Sequence, residues 1–501
     1  MSERDPERIP VLVGVGQIND RPERPRDGLD PTRLMAEALR RADNDAGGGW
    51  LGDCDSLSVV AQLAWPQLNP VDGKVAEALG IDPAHRMQTA MPNGDSPILL
   101  LNEAANRIGS GEAKICAITG GEALRTAGQL AAMRRAEGED KPNALRDATH
   151  RVRKGYAQSF GLIVPTDVYP LYENAGRASY GQSLEEGQAE SGAIWARMSE
   201  VAAECEGAWI RKPVTPQEVV TPSASNRPIA FPYTKLQVAN SSVNQGAGFI
   251  VTSLAEARRR GADEARLVFV GYGAAAHESG NFLARDRYDA SPSLATSIRR
   301  AMALNGVQTG DLAHVELYSC FPCVPKMARR VLDWPLDRAS TVFGGLTFGG
   351  GPIGNYMSHA VVEMVKKLRG TGDKGLLFAN GGYATHNHTI VLSGSDPGLS
   401  FPQNFDFQSE ADALRGPVPP ISETYRGPAT IETYTLFHDR EGEVQNGVVV
   451  ARTPAGARTL ARVAPDDSEL IAFLRVGETE PVGSNGTVAD GDDELGLWVR
   501  S

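Results

Sequence analysis

One strand-and-helix pattern occurs twice in this chain, and it constrains the fold more than any other feature. The apolar run Pro10-Val-Leu-Val-Gly-Val-Gly16 returns far downstream as Leu267-Val-Phe-Val-Gly-Tyr-Gly273. Short apolar runs bounded by glycine predict buried strands. Each is followed by a helix-start signal, Asp30-Pro31 and Ser291-Pro292. Asp or Ser caps the first free N–H groups, and proline suits the first helical position. Leu34, Met35, Ala38, Leu39 and Ala42 then share one helical face, as do Leu294, Ile298, Ala301 and Met302, with Gly306 as the stop. The two copies also end alike. A helix over 98–108 precedes Lys114-Ile-Cys-Ala-Ile-Thr-Gly-Gly121, and a helix over 352–368 precedes Gly375-Leu-Leu-Phe-Ala-Asn-Gly-Gly382. Both helices are apolar nearly all round, so both belong inside a domain. The chain therefore reads as two α/β halves sharing a pair of central buried helices.

Two segments fall outside the repeat. Residues 124–236 are polar, Arg-rich and Pro-interrupted, with a helix over 185–205, and read as an inserted loop domain. Residues 396–428 are Pro-rich. Strands are then expected at 429–437, 444–452, 457–463 and 495–499, with a helix over 466–474. This tail reads as a separate small α+β or barrel-like module. The expected domains are 1–124 completed by 236–262, then 125–235, 263–395 and 396–501.

Composition narrows the function classes. At 501 residues, 41% hydrophobic and 22% charged, the chain can bury several cores. Its formal net charge of −12 argues against a dominant nucleic-acid or anionic-membrane surface. The acidic Asp490-Gly-Asp-Asp-Glu494 makes nucleic acid a poor partner for a barrel-like tail. No apolar run reaches the ~20 residues of a membrane span. The polar start and five cysteines suggest a reducing cytoplasm.

The motifs exclude more than they establish. Gly14-Val-Gly16 lacks the third glycine of a dinucleotide fingerprint, because position 19 is Asn19. Gly349-Gly-Gly-Pro352-Ile-Gly354 is a Gly-rich turn with Pro352 placed to begin a helix. It suits either an oxyanion or close packing. Cys320-Phe-Pro-Cys323 has no second pair, so no metal site is expected. Cys116 belongs in a strand core. His359, His386 and His388 lie near the Gly-rich region in sequence and suit polar pocket lining.

Over residues 8–395 these features together resemble the thiolase superfamily, and most of all its thiolase-like (type 1) branch related to sterol-carrier-protein thiolases. The motifs are Leu317-Tyr-Ser-Cys-Phe-Pro322, Gly344-Gly-Leu346, Gly350-Gly-Pro352 with Asn355-Tyr356 and His359, and Ala379-Asn-Gly-Gly-Tyr383. An additional C-terminal domain is also a trait of that branch. The resemblance implies an α/β thiolase fold, with two duplicated βαβαβαββ halves in a layered αβαβα arrangement. A thiolase works through an acyl-cysteine, an activating His, an acid/base Cys and polar groups on the thioester oxygen. The resemblance places the nucleophile's slot at Gly94, the His slot at Gly351 and the second Cys slot at Asn380. The Asn-Glu or His-Asp pair falls on Tyr318 and Ser319.

The resemblance thus implies a coenzyme A or acyl-CoA-binding protein of lipid metabolism, with no required cofactor and no standard thiolase chemistry. Arg211, Lys212, Arg227 and Lys235 of the insertion would meet the phosphates. The alternative is an acetyl-CoA acetyltransferase-like enzyme with relocated chemistry, using Cys320 with His359 or His386. Thiolases dimerise through the strand before the nucleophile, here near 86–91, where Arg86 and Gln88 are polar. Monomer and dimer both stand as expectations.

Overall fold

The two copies of the repeat meet at the centre of one sheet. The computed structural model describes residues 4–138, 155–476, 479–491 and 495–501. The strands of the first half are β1 (Pro10–Asn19), β2 (Ser56–Val59), β3 (His85–Gln88), β4 (Ile115–Ala123) and β7 (Asn244–Ser253). Those of the second are β8 (Val268–His277), β9 (Leu312–Leu317), β10 (Lys374–Gly381) and β11 (His386–Ser393). Their order is β3-β2-β4-β7-β1-β8-β11-β10-β9. The repeated strands β1 and β8 lie side by side and antiparallel, with Val11 opposite Phe269 and Leu12 opposite Val268.

The helices follow the local signals. In α1 (Pro31–Asp45) the Asp30 side chain accepts the Arg33 N–H, and the five apolar-face residues are buried. The sheet packs closely on this helix. A β-carbon at Gly16 would lie 2.2 Å from the Ala38 carbonyl oxygen. The Gly-x-Gly of β1 thus lets strand and helix backbones approach. Further along come α2 (Asp72–Leu79), α3 (Ser96–Ser110) and α4 (Leu124–Ala136). The insertion contributes α5 (Pro165–Ser179) and α6 (Leu184–Glu204), and the second half α7 (Pro292–Leu304), α8 (Cys323–Leu332) and α9 (Tyr356–Leu368). In α7, Ser291 caps the Leu294 N–H as Asp30 does in the first copy. The two central helices α3 and α9 are buried along most of their length, α9 almost completely.

The second half departs from the first between α8 and α9. Among the described residues no strand lies between α8 and α9. The backbone there runs through a π-type turn at Gly345–Gly349 instead. Pro352 does not begin the helix. α9 starts at Tyr356, because Gly350 (φ 101°) and Gly354 (φ 74°) hold left-handed backbone that a right-handed helix cannot include.

The tail forms the expected small barrel-like module, and its sheet takes in two strands of the insertion. Strands β12 (Gly427–His438), β13 (Val444–Arg452), β14 (Arg458–Val463), β15 (Asn485–Asp490) and β16 (Gly496–Arg500) join β5 (Pro228–Ala230) and β6 (Tyr233–Thr234) of the insertion. The order is β13-β14-β16-β15-β12-β5-β6, and a β12–β13 pairing makes it barrel-like. Helix α10 (Ser468–Val476) packs Leu470 and Leu474 into a core with Tyr434 and Trp498. The tail is heavily bonded to the insertion. Asn174 Nδ2 donates to the Tyr434 carbonyl (2.9 Å), and Thr433 Oγ1 to that of Leu171 (2.6 Å). Arg177 forms two bonds with Glu480 (2.6 and 2.7 Å). A β-sheet shared between insertion and tail satisfies strand edges that a free-standing module would expose. Strand β15 was not expected from the sequence. Residues 492–494 of the acidic stretch, and 139–154 of the insertion, lie outside the described residues. No helix among the described residues is long and apolar enough to cross a membrane.

Candidate functional site

Three loops converge at the N-terminal end of the central helix α3. The first is Asn93-Gly94-Asp95, which leads into α3. The second is Tyr318-Ser319-Cys320, which follows β9. The third is Asn380-Gly381-Gly382 at the end of β10. A β-carbon at Gly94 would lie 2.1 Å from the Asn380 carbonyl oxygen and 2.4 Å from the Tyr318 hydroxyl. Gly94, Tyr318 and Asn380 are therefore brought together from three distant parts of the chain. The space beside Gly94 is filled by backbone and phenol, with none left for a side chain.

Tyr169 of α5 ties this region to the insertion. Its hydroxyl donates towards Asn380 Oδ1 (3.0 Å) and the Gly382 carbonyl (2.9 Å), and accepts the Ala384 N–H (2.9 Å). Asn380 Nδ2 donates to Asn387 Oδ1 (2.9 Å), and Asn387 Nδ2 to Ser293 Oγ (2.7 Å). Asn380 is fully buried, and both polar atoms of its amide have a partner in this network. Tyr169 also stacks on Phe321 at 4.5 Å, and Tyr233 stacks on the same ring at 5.6 Å. The loop domain thus reaches the site through an aromatic stack.

Cys320 is half-buried, and burial pushes its thiol up to about 12, with the Tyr169 hydroxyl and the Phe321 N–H pulling the other way. A thiol held so high carries almost no thiolate at neutral pH. Neither expected imidazole partner is among its polar neighbours. His359 is fully buried on α9. There it shares a hydrogen bond with Gln17 Oε1 (2.8 Å) and stacks on Phe343 at 5.0 Å. Burial lowers it to about 3. His386 lies opposite Gly381 across β10 and β11, and its ring meets that of His277 edge-on at 4.9 Å. The structure does not assemble Cys320, His359 and His386 into one constellation. Cys320 and Cys323 are both free thiols, not a disulfide.

The remaining slots are occupied by packing. Ser319 is fully buried and its Oγ accepts the Leu346 N–H (3.2 Å). Gly351 donates its N–H to the Asn240 carbonyl (2.8 Å), and the Ala239 N–H reaches the Cys320 carbonyl (3.1 Å). The Gly-rich turn is thereby stitched to the segment after the insertion.

One titratable group of the site adjoins the Gly94 slot and belongs to no sequence motif of its own. Asp95 precedes α3 and is buried. Burial raises its carboxyl to about 6, while His277 favours its charged form. Its Oδ1 would lie 3.2 Å from a β-carbon at Gly381. Tyr169 had no sequence signal at all, because its role depends on a fold contact across the chain.

The four basic residues of the insertion divide in two. Arg211 donates to the Ala203 carbonyl (3.3 and 3.2 Å) near the end of α6. Arg227 donates to the carbonyls of Pro228 (3.0 Å) and Asp439 (3.2 Å), so it locks the insertion to the tail. Lys212 and Lys235 are exposed.

This geometry, two repeated halves around paired buried helices with an insertion reaching the site, defines a thiolase-fold protein carrying an additional C-terminal domain. Known proteins agree. Residues 406–493 match the family described as "Thiolase-like protein type 1 additional C-terminal domain". A monomeric SCP2-thiolase like protein type 1 from Mycobacterium smegmatis is 30% identical, with 100% of both chains covered and a TM-score of 0.83. The chain belongs to this family of SCP2-thiolase-like proteins type 1. The dimeric peroxisomal thiolase of Saccharomyces cerevisiae shares the fold at 15% identity, covering 78% of this chain and 98% of its own, with a TM-score of 0.58. Human mitochondrial 3-ketoacyl-CoA thiolase does so at 14%, covering 78% and 100%, also at 0.58. No curated protein matches the chain in sequence.

Proposed function

We propose that this chain binds coenzyme A or an acyl-CoA in acyl-CoA and lipid metabolism, acts as a monomer, and does not run the acyl-cysteine reaction of thiolases. The observation that carries the reading is the filled space at Gly94, where the Asn380 carbonyl would stand 2.1 Å from any β-carbon. A nucleophile there is absent, and so is the room for one. Gly351 supplies no imidazole, and the amide of Asn380 is spent on Tyr169 and Asn387. An amide moves no proton at neutral pH, so acid/base chemistry at that position is also missing. The exposed ammonium groups of Lys212 and Lys235 support recognition of phosphates, as point charges screened by salt. A monomer is supported by the relative described as monomeric and by the short edge strand β3, which carries the exposed Arg86.

The alternative, an acyltransferase centred on Cys320, is disfavoured by a thiol held up at about 12 without an imidazole beside it. Two measurements on the purified full chain test the proposal. Calorimetry with coenzyme A at low salt is expected to show saturable binding that weakens on adding salt. Thiolysis of acetoacetyl-CoA is expected to stay at background. No saturation at millimolar coenzyme A removes the binding half. Turnover in the ordinary range of ~1–1000 per second removes the other.

A further inference from the structure

A cleft of about 900 Å³ opens between the second half, the 396–428 linker and the tail. Its volume falls within the ~300–1,000 Å³ of small-molecule sites, which favour domain junctions. It is separate from the Gly94–Asn380 region. Ser291 lines it, and Ser293 and Asn387 stand in hydrogen-bonded sequence between Ser291 and Asn380.

Two helices form its walls. Ala295 and Arg299 lie one turn apart on α7, and Met327 and Val331 one turn apart on α8. Residues four apart share a helical face. The two helices therefore give the cleft an apolar strip of Ala295, Met327 and Val331 with Arg299 beside it, within a lining that also holds Arg287, Arg330 and Arg452. Leu414 of the linker is 60% exposed at its margin, an apolar side chain that folding left uncovered.

The charges around it are unequal. Asp289 is held by Arg287 (2.6 Å from Nε), and Asp286 accepts the Gly416 N–H (2.8 Å). Glu432 is shared by Arg452 and Arg458, and Glu190 by Arg329 and Arg330. Arginines thus outnumber carboxylates. Arg299 is exposed and has no acidic partner among the described residues. A free guanidinium beside apolar surface recognises an anion with a hydrocarbon body.

We propose that this cleft is a second ligand site that takes an amphipathic carboxylic acid, its carboxylate on Arg299 and its hydrocarbon body against Ala295, Met327 and Leu414. The site is independent of coenzyme A binding, so either can fail alone. Calorimetry on the full chain tests it, with decanoate as probe and decan-1-ol as its uncharged counterpart. Wild type is expected to bind decanoate saturably and more tightly than decan-1-ol. Arg299→Glu, on an exposed position, is expected to weaken decanoate by about tenfold or more and to leave decan-1-ol unchanged. Ala295→Trp, which fills the apolar strip, is expected to abolish both. A wild type that does not saturate with decanoate overturns the proposal. So does an Arg299→Glu chain that binds decanoate as wild type does, or a folded Ala295→Trp chain that still binds it.

Discussion

The carbonyl oxygen of Asn380 stands 2.1 Å from where a β-carbon at Gly94 would sit. The two residues come from opposite halves of the repeat, and their contact closes the end of α3.

That contact makes Gly94→Cys a poor repair. Real β-carbons do not approach a carbonyl oxygen so closely, so the loop at 380 must shift. We expect a loss of about 1–3 kcal/mol, as for other overpacked sites, and no thiolase activity. Denaturant unfolding and a thiolysis assay read the two outcomes. A stable, active G94C chain contradicts the geometry.

Alkylation of Cys320 should be slow. A thiol raised from 9.0 to about 12 holds about a thousandfold less thiolate than an ordinary one at pH 8. Mass spectrometry of iodoacetamide labelling should find Cys320 no faster than buried Cys205, itself raised to about 12. Rapid, selective labelling of Cys320 would revive it as a nucleophile.

Asp95 should cost stability at neutral pH. Its folded pKa of about 6 lies above the unfolded value of about 3.9. Between those values the native chain binds more protons than the unfolded chain, so stability falls as pH rises through that window. Asp95→Asn is expected to gain roughly 2–3 kcal/mol at pH 7 and nothing below pH 4. Equal stability of the two chains at pH 7 argues that the carboxylate is solvated.

The tail should not be removable. Deleting 427–501 strips β5 and β6 of their sheet and unpairs Arg177 from Glu480. It also removes Arg458, fully buried between Glu432 (2.6 Å) and the Arg285 carbonyl (2.7 Å). We expect the shortened chain to aggregate on size-exclusion chromatography. In the full chain, Arg458→Met should cost about 3–5 kcal/mol, the usual result of breaking a buried pair. A soluble, monomeric truncation would show that the shared sheet is dispensable.

Local order was legible in the residues alone. The paired strands, the Asp30-Pro31 and Ser291-Pro292 starts and the apolar faces behind them are short-range signals, and the helices and strands obey them. The resemblance to thiolases, not local pattern, pointed to Gly94, Tyr318 and Asn380 as slots of one site, and the fold brings the three together. Other features needed the folded chain. Pro352 looked like a helix start until the left-handed Gly354 delayed α9 to Tyr356. Arg227 looked free until the Asp439 carbonyl claimed it. Cys320 looked reactive until the fold withdrew its thiol from water with no imidazole beside it. Strands β5 and β6 are too short to announce themselves, and only the edge of β12 gives them partners. Periodicity and caps are properties of neighbouring residues, so they can be read off the chain before it folds. Thiol acidity, a filled slot and a shared sheet depend on which distant groups displace water from each atom, and these come together only in the folded chain.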